Sequence, residues 1–395
     1  MLEDIFQNLE NINDFEKWFL EKTENMEMPI YASVDVRYSG WKVSVVDANS
    51  FPAGFNNISK DLIPNLSESL NEYFRSINLD IKHIHILPES HTRNTAYVEN
   101  ISRIKEIAEK AGYNVTVGSS ELNRYKLLEG LTEDVELSKV EVNDEDNIEI
   151  NGLIPDLVLL NNDLTGGKIP GLSGTVLPRK EMGWYNRRKS DHYIILETLV
   201  DEVSEILKID PWLLMPMWFV SEDKCLELDA CINKLSNDID NMIGKIKLKY
   251  EKYGIDSEPV VFIKNDRGTY GLGIISIKSG NEIRNLSKRM IKRLTYGKGG
   301  ASAENFLIQE GIPTNLNSDS SVIEPVGYTI GGMESNWFFR SNPKKNKFEN
   351  LNSPSSIFLQ ESQLSDGIIN SERKYWLNLV SKLSYLAMGL ESIQK

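Results

Sequence analysis

A lysine followed by a glycine-rich segment is the feature of this sequence best suited to chemistry. Lys264 ends an apolar run that begins at Val260, and Gly268, Gly271 and Gly273 follow it. Glycines let backbone N–H groups approach a polyphosphate, and a lysine adds a point charge. The segment matches neither the Walker pattern nor the dinucleotide fingerprint, which must follow a strand and open a helix. We therefore predict a phosphate-holding hairpin whose loop closes over a nucleotide, with an ordinary glycine-rich hairpin as the alternative.

Further polar side chains follow in the last third of the chain. A predicted strand at 306–309 runs into Glu310, where backbone groups can bind a base edge and the carboxylate can accept hydrogen bonds from ribose hydroxyls. Glu324 and Arg340 lie in later predicted strands, and a Glu/Asn cluster occupies 349–352. Oxygen ligands of this kind suit Mg²⁺, which bridges carboxylates to phosphates. A surface carboxylate is usually only solvated, so it is the order of these residues that favours a nucleotide site.

Polar residues also crowd the ends of predicted strands in the N-terminal half. Asp35 and Arg37 point to one face of a strand, so they can bracket the ammonium and α-carboxylate groups of an amino acid. A structural ion pair fits the same spacing. Strand ends of open α/β sheets are the customary place for a ligand. On this ground we predict further substrate contacts from Arg93, Asn162 and Asp163. We add Asn49, Asn56 and Asn57 because their amides can bind a zwitterion, and Arg188 because its charge suits an acidic substrate.

These polar residues have structural alternatives as well. Asn in loops often caps its own turn. The basic block at 187–189 suits an acidic substrate or phosphate, or simply a solvated helix start. The alternatives stay open at the level of the sequence.

The hydrophobic pattern predicts an α/β unit followed by a strand-rich α+β unit. A helix over 2–22 precedes a hairpin at 31–46, and later strands and helices alternate as in a parallel α/β layer. A basic helix is predicted near 281–294 in the last third, and the break at Asp210-Pro211 ends an earlier helical stretch. We place the domain boundary there, with an N-terminal α/β substrate domain over 1–215 and a C-terminal domain over 216–395.

Length, composition and charge restrict the class of protein. With 395 residues, 40% of them hydrophobic, the chain can form two or three packed domains. Its net charge of −14 disfavours nucleic acid and anionic membranes as partners. The longest strongly apolar stretch, 211–220, is far shorter than the roughly 20 residues of a membrane span. The two cysteines are too few for a disulfide scaffold, so we expect both to be reduced.

The N-terminal segment is acidic and amphipathic, without the basic start and apolar run of a secretory signal. Together with the low cysteine count, this predicts a cytoplasmic protein. Nothing in the sequence predicts the oligomeric state.

Over 258–353, a lysine is followed in order by a glycine loop, the strand end at Glu310, a carboxylate, an arginine and a Glu/Asn cluster. This order resembles that of the ATP-grasp superfamily. More narrowly, the whole chain resembles the proteobacterial type of glutamate–cysteine ligase, the family that catalyses the first step of glutathione synthesis. The matching segments are long and keep their order along the chain: 34–57, 88–100, 155–167, 187–193, 264–274, 308–312, 323–328 and 349–354.

The resemblance implies an ATP-dependent ligase that joins the γ-carboxylate of L-glutamate to the amine of L-cysteine through γ-glutamyl phosphate. The fold it implies has a two-lobed, ATP-grasp-like nucleotide site beside the α/β substrate domain. It makes Arg340 and Lys264 catalytic and assigns Mg²⁺ to Glu324, Glu349, Asn350 and Asn352. It assigns ATP to Lys264, Gly268, Thr269, Tyr270, Gly271, Gly273, Gln309 and Glu310.

Two positions depart from the family pattern. Gly331 stands where an acidic residue is expected, and Asp191 stands where a histidine is expected before His192. Either departure would be consistent with altered substrate choice or lowered activity. The alternatives are therefore a ligase of the same architecture with another acceptor amine, and a homologue that binds nucleotide or amino acid without turnover.

Overall fold

The structure is a computed structural model that describes residues 1–90, 93–222, 226, 229–267, 274–295, 305–353 and 355–395; only the backbone of Arg293 is described. The helices are α1 Leu2–Gln7, α2 Ile12–Thr23, α3 Ile63–Ser76, α4 Thr95–Lys110, α5 Lys189–Leu207, α6 Asp229–Tyr253, α7 Asn281–Arg284, α8 Lys288–Thr295 and α9 Ser371–Gln394. In the described ranges, none of them is long and apolar enough to span a membrane.

The strands of the first half are β1 Tyr31–Tyr38, β2 Val43–Asn49, β3 His83–Pro88, β4 Asn114–Val117, β5 Leu127–Leu128, β6 Val135–Glu136, β7 Val140–Val142, β8 Ile148–Ile150 and β9 Leu157–Asn161. Those of the second half are β10 Val176–Leu177, β11 Trp218–Ser221, β12 Val261–Asn265, β13 Ile275–Ile277, β14 Phe306–Glu310, β15 Leu316–Ser318, β16 Ser321–Ile330, β17 Asn336–Ser341 and β18 Ile357–Leu359.

The largest sheet joins the two ends of the chain. Its order is β18-β17-β16-β1-β2, with β15 also paired to β16, and its pairs are antiparallel. Alternation along β1 sends Ala32, Val34 and Val36 into a core with α5 and α9, which leaves Ser33 and Asp35 for the opposite face. We call this the central sheet.

Two smaller sheets complete the frame. A parallel sheet of order β10-β9-β3-β4 packs against α3 and α4, and its strand β9 is buried throughout. Strands buried on both faces read as continuous apolar runs, which is why this strand is visible in the sequence. An antiparallel sheet of order β11-β14-β12-β13 packs on α6, and we call it the lysine sheet because it carries Lys264.

The mixed α/β and α+β fold class predicted from the sequence is confirmed. The division at 215/216 stays a prediction; strands from both sides of that point pair within the central sheet.

Three expectations from the sequence are corrected. The predicted helix over 2–22 is two helices, because Asn8 caps the end of α1 and Asn11 precedes α2, and asparagine favours such positions. The predicted basic helix over 281–294 likewise divides into α7 and α8. Cys231 is disulfide-bonded rather than reduced.

Candidate active site

Two adjoining cavities lie on the central sheet: one between it, the lysine sheet and the start of α5, and the other between it and the segment that follows β2. The Lys264 cavity, of about 730 Å³, is lined by Asp35, Arg37, Val46, Asp47, Lys189, Phe262, Lys264, Asn265, Arg267, Ile274, Gln309, Glu310, Ile312, Glu324, Asn350 and Asn352. The Arg340 cavity, of about 770 Å³, is lined by Ser33, Asp35, Asp47, Asn49, Phe51, Pro52, Ala53, Gly54, Asn57, Asp163, Val326, Tyr328, Phe338, Arg340, Asn352 and Phe358. Asp35, Asp47 and Asn352 line both, so the two spaces meet at these side chains.

Lys264 is held near the end of β12 with its ammonium group inside the first cavity. Its side chain is buried, and Nζ donates to the carbonyl of Val46 at 2.9 Å and to Oε1 of Gln309 at 2.5 Å. Gln309 in turn donates to the hydroxyl of Tyr193 at 2.5 Å. Burial lowers the pKa of Lys264 to about 8, against the raising effect of Asp47. The lysine is therefore charged and positioned at neutral pH.

Glu310 also lines this cavity, but its carboxylate already has several donors. Nζ of Lys42 lies 2.6 Å from Oε2, and the indole N–H of Trp212 and the backbone N–H of Met217 donate to the same oxygen. Burial lowers the pKa of Lys42 to about 8, although Glu310 opposes the change. A ribose hydroxyl would have to share this carboxylate with those donors, and the ribose assignment stays a prediction.

Four charged side chains form a buried cluster on the central sheet. Nη1 and Nη2 of Arg340 donate to the two oxygens of Asp35 at 3.0 and 3.3 Å, and Nη2 of Arg37 lies 3.2 Å from Oε2 of Glu324. Nη1 of Arg340 lies 3.7 Å from the same Glu324 oxygen. Burial raises the pKa of Glu324 even though both arginines oppose the rise. Burial would lower the pKa of Arg340, but Asp35 and Glu324 raise it.

A further acidic side chain, Asp47 of β2, is paired with Lys189 at the start of α5. Lys189 is fixed there because its backbone N–H donates to the carbonyl of Asp266, whose carboxylate accepts from the N–H and hydroxyl of Ser190. A carboxylate at a helix N-terminus is stabilising. Burial would raise the pKa of Asp47, but the charges of Lys189 and Lys264 hold it below its ordinary value.

The structure brings some of the predicted substrate residues together and leaves others apart. Asn49, Asn57 and Asp163 line the Arg340 cavity with Asp35. Asn56 instead donates to the side chain of Asn57, and the side chain of Asn162 accepts from the backbone N–H of Leu164. The turn-capping alternative therefore holds for Asn162.

The predicted basic contacts take different positions. Arg93 is exposed, and Arg188 is half-buried as the residue before α5. From the same basic block, Lys189 enters the Lys264 cavity, whereas Arg187 is buried against Glu391, with Nε 2.9 Å from Oε1. All substrate assignments stay predictions.

Oxygen donors suited to a divalent cation meet at the cavity wall. Glu324, Asn350 and Asn352 line the Lys264 cavity. Glu349 binds elsewhere: Oε1 pairs with Lys345 at 3.0 Å, and Oε2 accepts from the backbone N–H of Asn346. Among the described residues, no group of three or more His, Cys, Asp or Glu side chains is arranged to hold a metal ion.

The glycine loop with Gly268, Thr269, Tyr270, Gly271 and Gly273 lies outside the described residues. Its predicted contacts to a nucleotide, and its predicted closure, stay predictions.

Two residues have roles that we do not predict from the sequence: Asp47, which lines both cavities, and Lys42, which pairs with the lining residue Glu310. Asp47 follows the apolar residues of β2 and begins the polar segment DANSFPAGFNN. This change from apolar to polar residues is a sequence signal from which Asp47 could have been predicted as a site residue. Lys42 lies two residues after the turn dipeptide Ser39-Gly40, and no pattern in the sequence predicts that it is buried.

The two departures from the family pattern lie away from the cavity walls. Gly331 has a φ of +76° in the turn between β16 and β17, a conformation that favours glycine over an acidic residue. The Asp191 carboxylate lies 2.8 Å from Nζ of Lys395. Neither residue lines the Lys264 or Arg340 cavity.

Comparison with known proteins gives a family match and a match over the whole chain. A family model described as glutamate-cysteine ligase matches residues 6–392. A crystal structure from Methylobacillus flagellatus KT, provisionally described as a gamma-glutamylcysteine synthetase, is 30% identical, with a TM-score of 0.89 over 100% of this chain and 96% of that chain. A D-alanyl-alanine synthetase A from Vibrio cholerae O1 biovar eltor str. N16961 is 10% identical over 75% of this chain and 78% of that chain, and its TM-score of 0.35 carries no weight. No curated protein matches the chain.

Proposed function

Because this chain belongs to the glutamate–cysteine ligase family, we propose that it uses ATP to join the γ-carboxylate of L-glutamate to the amine of L-cysteine through γ-glutamyl phosphate. The observation that carries the proposal is the meeting of the two cavities at Asp35, Asp47 and Asn352. A phosphate held on the Lys264 side and a carboxylate held on the Arg340 side would face each other at these residues.

The nucleotide would lie between the lysine sheet and the central sheet. Lys264 and Gln309 come from the first, and Glu324 comes from the second. This is the arrangement expected of an ATP-grasp-like site, with the sheets as its two lobes. The ammonium of Lys264 would neutralise phosphate charge, because its side chain is already fixed by Val46 and Gln309.

Glutamate would occupy the Arg340 cavity. Its α-ammonium group would bind Asp35 and Asp163, and the amides of Asn49 and Asn57 can hold its α-carboxylate. Arg340 would then face the γ-carboxylate and stabilise the charge that develops on the acyl phosphate. These groups are positioned before substrate binds, which is the condition for electrostatic catalysis.

The donor set fits Mg²⁺ bound together with phosphates. Mg²⁺ is commonly held by one or two carboxylates plus substrate phosphates rather than by a cage of protein ligands. Glu324, with the amide oxygens of Asn350 and Asn352, would hold the ion at the cavity wall, where it would neutralise phosphate charge. Glu349 is better placed to fix the loop through Lys345.

The experiment that tests the function is ADP release with glutamate as donor and a panel of acceptors: cysteine, 2-aminobutyrate, serine and alanine. We expect release to require both glutamate and an acceptor amine, with cysteine preferred. A preference for another amine would change the proposed acceptor but would still support a ligase activity. Nucleotide binding with no phosphate released for any pair would instead favour a homologue that does not turn over.

A further inference from the structure

Asp47 has no part in the scheme above, yet it lies where the two cavities meet. It is directly opposite Asp35 in the register of the β1–β2 hairpin. Like charges directly opposite each other on a sheet are destabilising. A second carboxylate beside a phosphate site also opposes phosphate binding. Lys189 offsets part of this cost, and a further cation that binds Asp47 during the reaction would offset more of it.

The two carboxylates differ in what their oxygens bind. Both oxygens of Asp35 accept from Arg340. Asp47 is paired through Oδ1 with Lys189, and within the described part of the chain its Oδ2 accepts no hydrogen bond. The side chain of Asp47 is 29% exposed, so this oxygen is accessible from the shared space. Asp47 therefore has one oxygen free to receive a further donor, whereas each oxygen of Asp35 already accepts from Arg340 and a further donor there would share the carboxylate with that arginine.

An incoming amino acid supplies that donor and imposes a chemical need. Its ammonium group carries three protons, and the amide nitrogen of the product carries one, so two protons must leave. The nitrogen lone pair attacks the acyl carbon only after the first has left. The C–O bond to phosphate then breaks, its electron pair leaves with the phosphate, and the second proton passes to the departing phosphate or to water.

We propose that Asp47 is the catalytic carboxylate that binds the ammonium group of the acceptor amino acid and takes the first of these two protons. This inference rests on the proposed function and adds the group that activates the acceptor. Asp35, by contrast, stays with Arg340 on the donor side.

The surroundings of Asp47 support the first part of this role, the binding of the ammonium group. The groups that face it are Lys189 from α5, Lys264 from β12, Arg187 just before α5, and Asp35 from β1. The cations keep the carboxylate ionised, so it is ready to bind an ammonium group. Its accessible oxygen gives the proton a route to solvent.

The test compares two nucleophiles in the same enzyme. Hydroxylamine is largely uncharged near neutral pH, so its lone pair is available without a base, and it traps γ-glutamyl phosphate as the hydroxamate. For Asp47→Asn we expect kcat/KM for cysteine to fall by about a hundredfold or more, the usual contribution of a general base, and hydroxamate formation to fall by less than about tenfold. Hydroxamate formation by the variant also shows that it folds.

Two further variants complete the design. Asp47→Glu keeps a carboxylate and should recover part of the reaction with cysteine. Asp191→Asn removes a carboxylate from another Asp–Lys pair, outside both cavities, and should leave both reactions as in the wild type. Equal losses with cysteine and hydroxylamine, or no loss with either, would overturn the role of Asp47. A wild-type protein that forms no hydroxamate from ATP and glutamate would instead refute the proposed function.

Discussion

Asp35 and Asp47 lie opposite each other on neighbouring strands, and each carboxylate is neutralised by a cation from a distant part of the chain. Arg340 of β17 binds Asp35, and Lys189 of α5 binds Asp47. The rest of the fold therefore supplies the cations that offset the repulsion between these two carboxylates. The two carboxylates line both cavities, whereas Lys189 lines only the Lys264 cavity and Arg340 only the Arg340 cavity.

The first prediction concerns Lys264. Its replacement by alanine should lower kcat by about a hundredfold to a thousandfold, the effect of removing one charge-stabilising donor. The measurement is ADP release with saturating glutamate and cysteine. Lys278→Ala, an exposed lysine just after β13, is the matched control and should keep wild-type activity. Equal activity of the two variants would remove Lys264 from the phosphate site.

The second prediction is a pH dependence. The pKa of Lys264 is lowered to about 8 by burial, so the side chain is charged below that pH and neutral above it. We expect kcat/KM for ATP to fall as the pH rises through about 8, because kcat/KM reports the ionisation of the free enzyme.

Lys42 has a similar pKa of about 8, so the assignment needs a second variant. Lys264→Arg keeps its charge throughout this range. Its profile should lose the fall near pH 8, even if its overall rate is lower. If kcat/KM for ATP still falls near pH 8 in Lys264→Arg, the ionisation belongs to another group.

The third prediction separates two candidate metal ligands. Glu324→Gln should raise the Mg²⁺ concentration needed for half-maximal ADP release by tenfold or more, on the order seen when a metal site is disturbed. Glu349→Gln should change it much less, because that carboxylate binds Lys345 and Asn346. A larger effect from Glu349 than from Glu324 would reverse the assignment.

The fourth prediction concerns stability. Glu391 is buried; burial would raise its pKa, but Arg187 and His192 lower the value to about 2. A depressed carboxyl pKa adds stability above the unfolded-state value, and this contribution is lost as the pH falls toward the folded-state value. The urea-unfolding free energy of the wild type should exceed that of Glu391→Gln by about 3 kcal/mol more at pH 6 than at pH 2. A constant difference between the two proteins would contradict this linkage.

The regular elements of the fold are predictable from the sequence because their patterns are local. The apolar run of β9 and the turn between β1 and β2 identify a buried strand and a hairpin. The pairing of β1 with β16 is not predictable in this way, because it joins residues about three hundred positions apart and no local pattern specifies it.

The site is predictable only in part for a similar reason. Lys264, Glu324 and Arg340 stand out by their motifs and do line the two cavities. Lys189 lines the Lys264 cavity and Arg188 does not, a difference that depends on how α5 begins. Asp266, the residue after β12, binds the backbone N–H groups of Lys189 and Ser190 there. The partner of Glu310 is likewise a tertiary contact, since Lys42 is far away in the sequence.

The central claim, that glutamate is activated by phosphorylation of its γ-carboxylate, is tested most directly by oxygen transfer. Glutamate labelled with ¹⁸O in both γ-carboxyl oxygens is turned over with ATP and cysteine, and the released phosphate is analysed by mass spectrometry. The account predicts that each phosphate carries one ¹⁸O atom, because the bridging oxygen leaves with it. Phosphate without the label would contradict the account.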